Sequence, residues 1–247
     1  MGNMISKHVR RKLYEYVVDE LGSQIIRGDY RPGETLPNED ALCKEFEVSR
    51  GVLREAMKVL IQKGLLESKT KTGTFVCPSS AWNLFDPDVL IWKYQAGERL
   101  EFLKNIMEVR RIIEPEAAKL AAERASAEKI RRIQAIYDEM HSVISAGNGY
   151  ASEEFIQIDL EFHTAILEAC GNELLAQIGH TMRRALITAR ESDRHDLAAQ
   201  KRTLVTHLAV LNAIADHDAE AAYRANRSLI IQVWRDMQQQ CEQERDK

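Results

Sequence analysis

Asp159 and His163 stand four residues apart, one helical turn, in a stretch whose apolar residues Phe155, Phe162, Ile166 and Ala169 recur at helical spacing. Both polar residues fall on the apolar stripe. His207 interrupts a second stripe, Leu204, Leu208, Leu211 and Ile214, and Arg110 interrupts a third, Leu103, Ile106, Ile113, Ala117 and Leu120. Burying a carboxylate, two imidazoles and a guanidinium is costly unless they pair or bind something. An Asp and a His one turn apart, joined by a His from another helix, make a workable divalent-metal triad. Three protein ligands leave positions open for water or a ligand carboxylate, which Arg110 would hold by charge-assisted hydrogen bonds. The four residues are expected to line one cavity. The bland account is a local Asp159–His163 pair, a hydrogen-bonded core His207, and Arg110 paired with Glu114 on its own helix.

A second group of residues lies in the first third of the chain. Ser49 is a plausible N-cap, and Arg50 and Arg54 follow it one turn apart on one helix face. The planar guanidinium fork suits guanine edges and phosphates, and the first amides of a helix suit a phosphate. Further on, Lys69, Lys71 and Gly73 fall at the tip of a short hairpin, where a backbone can approach a groove or phosphate.

The elements that must position these residues follow from periodicity and punctuation. Val9, Leu13, Val17, Leu21 and Ile25 predict a helix over 7–28, and Asn38 caps a short one over 38–47. Val52, Leu53, Ala56, Val59 and Leu60 predict a third over 50–62, stopped by Gly64. Segments 65–69 and 74–77 read as a hairpin. Residues 79–98 read as a linker with apolar anchors Trp82, Leu84, Phe85, Val89, Leu90 and Trp92, broken by Asp86-Pro87. Helices are expected near 99–123, 126–146, 151–169, 173–191, 198–216 and 219–240, with breaks at Gly147-Asn148-Gly149, Gly171-Asn172 and Asp216–Asp218. The fold class is therefore mainly α: a winged helix-turn-helix over 1–78, then an all-α bundle over 99–247.

Composition agrees. At ~150 residues per domain, 247 residues make one large domain or two smaller ones. Five Pro and 12 Gly with 45% hydrophobic residues exclude a disordered or collagen-like chain. The net charge of −4 hides an asymmetry: residues 1–78 hold 13 Lys/Arg against 11 Asp/Glu, and the rest is acidic. A nucleic-acid surface therefore belongs in the first third. Cys43, Cys77, Cys170 and Cys241 form no CxxC pair, so neither a zinc ribbon nor a redox motif is expected. No apolar run approaches ~18–20 residues, and residues 1–20 are charged throughout, so the expectation is a cytoplasmic protein with no membrane partner.

The stretch LPNEDALCKEFEVSRGVLREAMKVLIQKGLLESKTKTGTFV, residues 36–76, closely resembles the DNA-binding domain of GntR-type bacterial regulators. The matching marks are Leu36-Pro37, Glu39, Val48-Ser49-Arg50, Leu53-Arg54-Glu55-Ala56, Leu60, Gly64-Leu65 and Gly73-Thr74-Phe75-Val76. The resemblance implies DNA contacts by Ser49, Arg50, Arg54 and the wing around Lys71–Gly73. Many relatives carry Arg or Lys where this chain has Asp40, which cannot reach a phosphate, and Gly51 replaces a commoner Thr or polar residue. Residues 100–240 resemble the helical effector domain of the FadR-type branch. The marks there are Glu108-Val109-Arg110, Glu114-Pro115, Leu120 to Arg124, Asp159-x-x-x-His163, and His207 with Ala213-Ile214 and Asp218. Many members of that branch bind a divalent metal, zinc or similar, through one Asp and three His. Asp159, His163 and His207 match three of these, and Leu229 occupies the fourth, so the set is incomplete.

Together these marks predict a homodimeric transcriptional repressor of a sugar-acid or other carboxylate catabolic operon. It would bind double-stranded operator DNA and be released by a small carboxylate held by Arg110, Asp159, His163 and His207. Two alternatives stand beside it: a metal-dependent enzyme on the helical half, and a constitutive DNA binder without effector. No Ser or Cys nucleophile motif accompanies the triad, and Glu161 points away from the Asp159–His163 face.

Overall fold

A computed structural model describes the backbone of residues 2–69, 73–97, 99–146, 153–191 and 197–245, and the side chains of 12–69, 73–97, 100–146, 154–187 and 201–239. The Gly147-Asn148-Gly149 break and Cys241 lie outside what is described. The chain forms two compact units, Met1–Glu98 and Arg99–Lys247. Among the described residues no helix is long and apolar enough to cross a membrane.

The first unit contains α1 (Gly2–Arg27), α2 (Glu39–Glu45), α3 (Arg50–Gln62), β1 (Leu66–Lys69), β2 (Gly73–Val76) and α4 (Pro87–Gln95). Asn38 caps α2 by accepting from the Ala41 amide, and Ser49 caps α3 by accepting from the Val52 amide. Between them Glu47 turns the chain at φ 53, a left-handed residue that lets the second helix leave at an angle. The strands pair antiparallel, Leu66 opposite Val76 and Lys69 opposite Gly73. Val17, Leu21 and Ile25 of α1 share one core with Leu42, Leu53, Ala56, Leu60, Leu66 and Val76. This is a winged helix-turn-helix, as the periodicity predicts.

Residues 79–98 pack into this same unit. Val89 and Trp92 belong to its core, Trp82 packs against it, and Leu84 and Phe85 are exposed. The Asp86-Pro87 step, expected as a break, starts α4 instead. Asp86 is the N-cap, accepting from the Asp88 and Val89 amides, and Pro87 sits at the first turn, where its missing N–H costs nothing. Two devices fasten α4. The buried Lys63 ammonium donates to Asp86 at 2.7 Å and to Asp88 at 2.8 Å. Burial pulls the Lys63 amine down, but these two carboxylates outweigh it and raise its pKa. The second device is Gly22 of α1, where a Cβ would lie 2.5 Å from the Trp92 ring. Gly22→Leu is expected to cost about 1–3 kcal/mol by overpacking. Thermal unfolding checks this, and a variant as stable as the parent would show that Trp92 has room to move.

The second unit is a helical bundle: α5 (Arg99–Arg124), α6 (Ala127–Ser145), α7 (Glu153–Ala169), α8 (Glu173–Glu191), α9 (Leu197–Ala215) and α10 (Ala219–Arg245). α5 packs on α7, α9 and α10, α6 on α7 and α9, and α8 on α7. α9 and α10 run antiparallel, tied by Thr206–Gln232 and Arg202–Asp236. α5 is tied to α10 by Lys119–Glu220, and to the turn before α10 by His217 Nδ1, which donates to the Ala122 carbonyl at 2.7 Å. α8 approaches α7 closely because Gly179 has no side chain: a Cβ there would lie 2.4 Å from Leu167. Arg110, Glu114, Asp159, His163 and His207 are all buried within this bundle.

Candidate functional site

The exposed start of α3 presents Arg50 and Arg54, with side chains 66% and 63% accessible. Each is already engaged by an acid in the first turn of α2. Arg50 meets Asp40 at 2.7 Å, and Arg54 forms a fork on Glu39 with two contacts of 3.0 Å. Asp40 stands where a phosphate-reaching cation is expected. The structure adds that it draws Arg50 toward α2. At the hairpin, Lys69 is exposed, lies 5.6 Å from the Phe75 ring centre and pairs with Glu67 at 3.4 Å. Gly73 has φ 100. Lys71 lies outside the described residues.

In the bundle, Asp159, His163 and His207 converge: one ligand atom from each lies within 4.8 Å of the others. The protons on the two imidazoles follow from their neighbours. His207 Nδ1 lies 2.7 Å from the Thr203 carbonyl, which only accepts, so Nδ1 carries the hydrogen. Its Nε2 lies 3.1 Å from Asp159 Oδ1. His163 Nδ1 lies 2.7 Å from Glu114 Oε2, off the best hydrogen-bond direction, and its Nε2 has no hydrogen-bond partner among the described residues. Burial alone would push the Glu114 carboxyl up. The charges of Arg110 and His163 outweigh it and hold the carboxyl at about 2, so Glu114 is ionised and draws the His163 proton to Nδ1. Burial pushes the His163 imidazole below its usual pKa, against the pull of Glu114, and Arg110 adds to the lowering. His163 is therefore neutral near pH 7.

Two imidazoles and a carboxylate thus bring their polar atoms together in a space closed to water. A shared proton or a cation between them is the arrangement that satisfies all three. Each imidazole is also fixed from behind by an acceptor, Glu114 or the Thr203 carbonyl, as is usual around metal-bound histidine. The residues present therefore fit a divalent ion. Leu229 is fully buried and offers no donor atom.

Arg110 is 1% exposed and spans Glu114 with Nε and Nη2, while Nη1 lies 3.7 Å from the Met107 sulfur. A small cavity of about 10 Å³ adjoins this pair, lined by Arg110, Glu114, His163, Thr164, Met182 and Arg183 among others. The four polar residues expected around one cavity are thus divided. Arg110 and His163 line it, whereas Asp159 and His207 do not, and His163 is common to both groups. Glu161 is turned away, paired with Arg132 and Arg183. Glu114 was legible only as a partner of Arg110, one turn away on the same stripe. Its hold on His163 depends on how α5 meets α7, which no single-helix pattern carries.

Comparison with known proteins joins both halves. Residues 13–76 match the model for bacterial regulatory proteins of the gntR family, and residues 105–232 match the FCD domain. The chain belongs to the GntR family. This GntR regulator is 35% identical to the galactonate operon transcriptional repressor of Escherichia coli, over 87% of this chain and 92% of that protein. It is 32% identical to the regulator LutR of Bacillus subtilis, over 85% of this chain and 95% of that one. Among solved structures, Lar of Listeria monocytogenes matches with TM-score 0.58 at 19% identity, covering 92% of this chain and 96% of that one. Escherichia coli McbR/YncC matches with TM-score 0.52 at 21%, covering 92% and 98%. At those identities the structures speak for the fold alone. The GntR regulator is thus a DNA-binding transcriptional regulator and not an enzyme, which disposes of the metal-dependent-enzyme alternative.

Proposed function

We propose that the chain represses an operon for sugar-acid catabolism and leaves its operator when a small carboxylate binds the helical unit. It acts as a homodimer in the cytoplasm, because one winged helix reads a single half-site and operators mirror a two-fold. Ser49, Arg50, Arg54, Lys69, Lys71 and Gly73 contact the DNA. Asp159, His163 and His207 hold a divalent ion, zinc or similar, with three protein donors. That ion would supply a positive centre and open positions for an effector's carboxylate and hydroxyl oxygens. Arg110 faces the same ligand through Nη1 and keeps Glu114 ionised behind His163. The observation that carries this reading is the buried convergence of Asp159, His163 and His207, next to a cavity lined by a guanidinium. The repressor of the galactonate operon among the relatives makes galactonate the first effector to try.

The test uses a duplex selected by the protein from a random pool. Protein stripped with chelator and reloaded with zinc should bind one ion per chain. Galactonate should then release the duplex, and galactitol, which lacks the carboxylate, should not. Asp159→Ala should lose the ion. A duplex that stays bound at millimolar galactonate, gluconate and lactate, with and without zinc, would reject the reading.

A further inference from the structure

The cavity beside His163 has a second guanidinium, and it is held differently from the first. Arg183 of α8 lines the cavity with its side chain 27% exposed. Its Nη1 contacts Glu161 at 2.7 Å, and its Nη2 reaches the Gln157 carbonyl at a long 3.4 Å. Its Nε is buried and has no partner among the described residues. Arg110, by contrast, is locked in a buried pair whose separation would strand two charges.

Glu161 does not depend on Arg183. It also accepts from Arg132 Nη2 at 2.9 Å and is 30% exposed, so it stays paired and solvated if Arg183 departs. Release of Arg183 is therefore an exchange at a half-exposed surface, where ion pairs are worth little. The charge of the lining favours that exchange. Arg110 is committed to the buried Glu114, so Arg183 is the lining guanidinium whose anion is itself shared with Arg132 and partly solvated. The room is also missing: pockets that enclose small ligands begin at ~300 Å³, far above the present cavity. Arg183 and Gly179 of α8 and Leu167 of α7 all border it, so parting α7 from α8 enlarges it.

We infer that Arg183 is the exchangeable carboxylate receptor of this regulator: it leaves Glu161 on α7 and takes the carboxylate of a small hydroxy acid into the opened α7–α8 seam. This rests on the reading of the helical unit as a carboxylate receptor. The effector thereby replaces a bond between two helices with a bond to itself, and ligand occupancy and the α7–α8 contact exclude one another.

Calorimetric titration of the full-length, zinc-loaded protein with galactonate tests it. Arg183→Gln should weaken galactonate binding about 10–100-fold, the worth of a charge-assisted fork, and Arg183→Lys should restore part of it. Glu161→Gln removes the competing partner and should tighten binding several-fold, a gain that a merely structural ion pair would not give. Zinc content and affinity for the selected duplex should match the parent in all three, which also verifies folding. If the parent binds galactonate and Arg183→Gln binds it equally, or Glu161→Gln weakens it, the assignment of Arg183 is overturned while the proposed function stands. If the parent binds none of galactonate, gluconate and lactate, the proposed function falls and the inference falls with it.

Discussion

Glu114→Leu is expected to destabilise the helical unit by about 3–5 kcal/mol, the range for breaking a buried ion pair from one side. The substitution leaves the Arg110 guanidinium, 1% exposed, with only a sulfur contact. It also removes the anion behind His163 Nδ1. Adding Arg110→Met should recover most of the loss, because replacing both charges with apolar groups of similar size leaves nothing unpaired. Urea unfolding of the three proteins measures this, and a single variant within 1 kcal/mol of the parent would show that water reaches the pair. The pH dependence has a definite sign. The Glu114 carboxyl sits at about 2 when folded, against an ordinary 4.5. A depressed folded value stabilises the ionised form, so this contribution is full above about pH 4.5 and fades as pH falls toward 2. In Glu114→Leu that part of the acid dependence should be missing.

Arg54→Ala is expected to weaken binding to the selected duplex by about 1–3 kcal/mol, roughly 10–100-fold, with relaxed preference at one base pair. The geometry adds a condition to this. Arg54 is forked on Glu39 and Arg50 is paired with Asp40, so DNA must either displace these acids or accept arginines already aimed by them. Asp40→Asn separates the two. It frees Arg50 and deletes a negative charge from the DNA face, so affinity for random duplex should rise and the salt dependence should steepen. Electrophoretic mobility shifts across a salt series measure both. Unchanged binding by Arg54→Ala would mean that α3 does not enter the groove.

Much of this was readable from the chain itself. Both halves carry strong 3.6-residue periodicity with capping residues at the breaks, so helix ends fall within a few residues of expectation in α2, α3 and α5 to α9. Asp159, His163 and His207 were conspicuous because each breaks an apolar stripe, a signal that needs only one helix at a time. What escaped involved pairs of elements. Glu39 and Asp40 looked like ordinary first-turn acids, and their grip on Arg54 and Arg50 exists only once α2 lies against α3. Arg183 sits on the polar side of an amphipathic helix, where Arg is unremarkable. The cavity it borders belongs to three helices. Asp86-Pro87 was legible but ambiguous: the same dipeptide ends one helix and begins the next, and only the carboxylates meeting Lys63 decide between these.

The fastening of α4 bears on where such regulators can be cut and recombined. The unit that holds the winged helix runs on to residue 98, well beyond the wing's last strand residue, Val76. A fragment ending at 78 would lose Val89 and Trp92 from its core and leave the buried Lys63 ammonium without its two carboxylates. A fragment ending at 98 keeps all of these. Chimeras that graft this head onto another sensor should therefore be joined after Glu98. A library of crossovers scanned through 79–98 should yield few folded heads until the junction passes the end of α4 at Gln95.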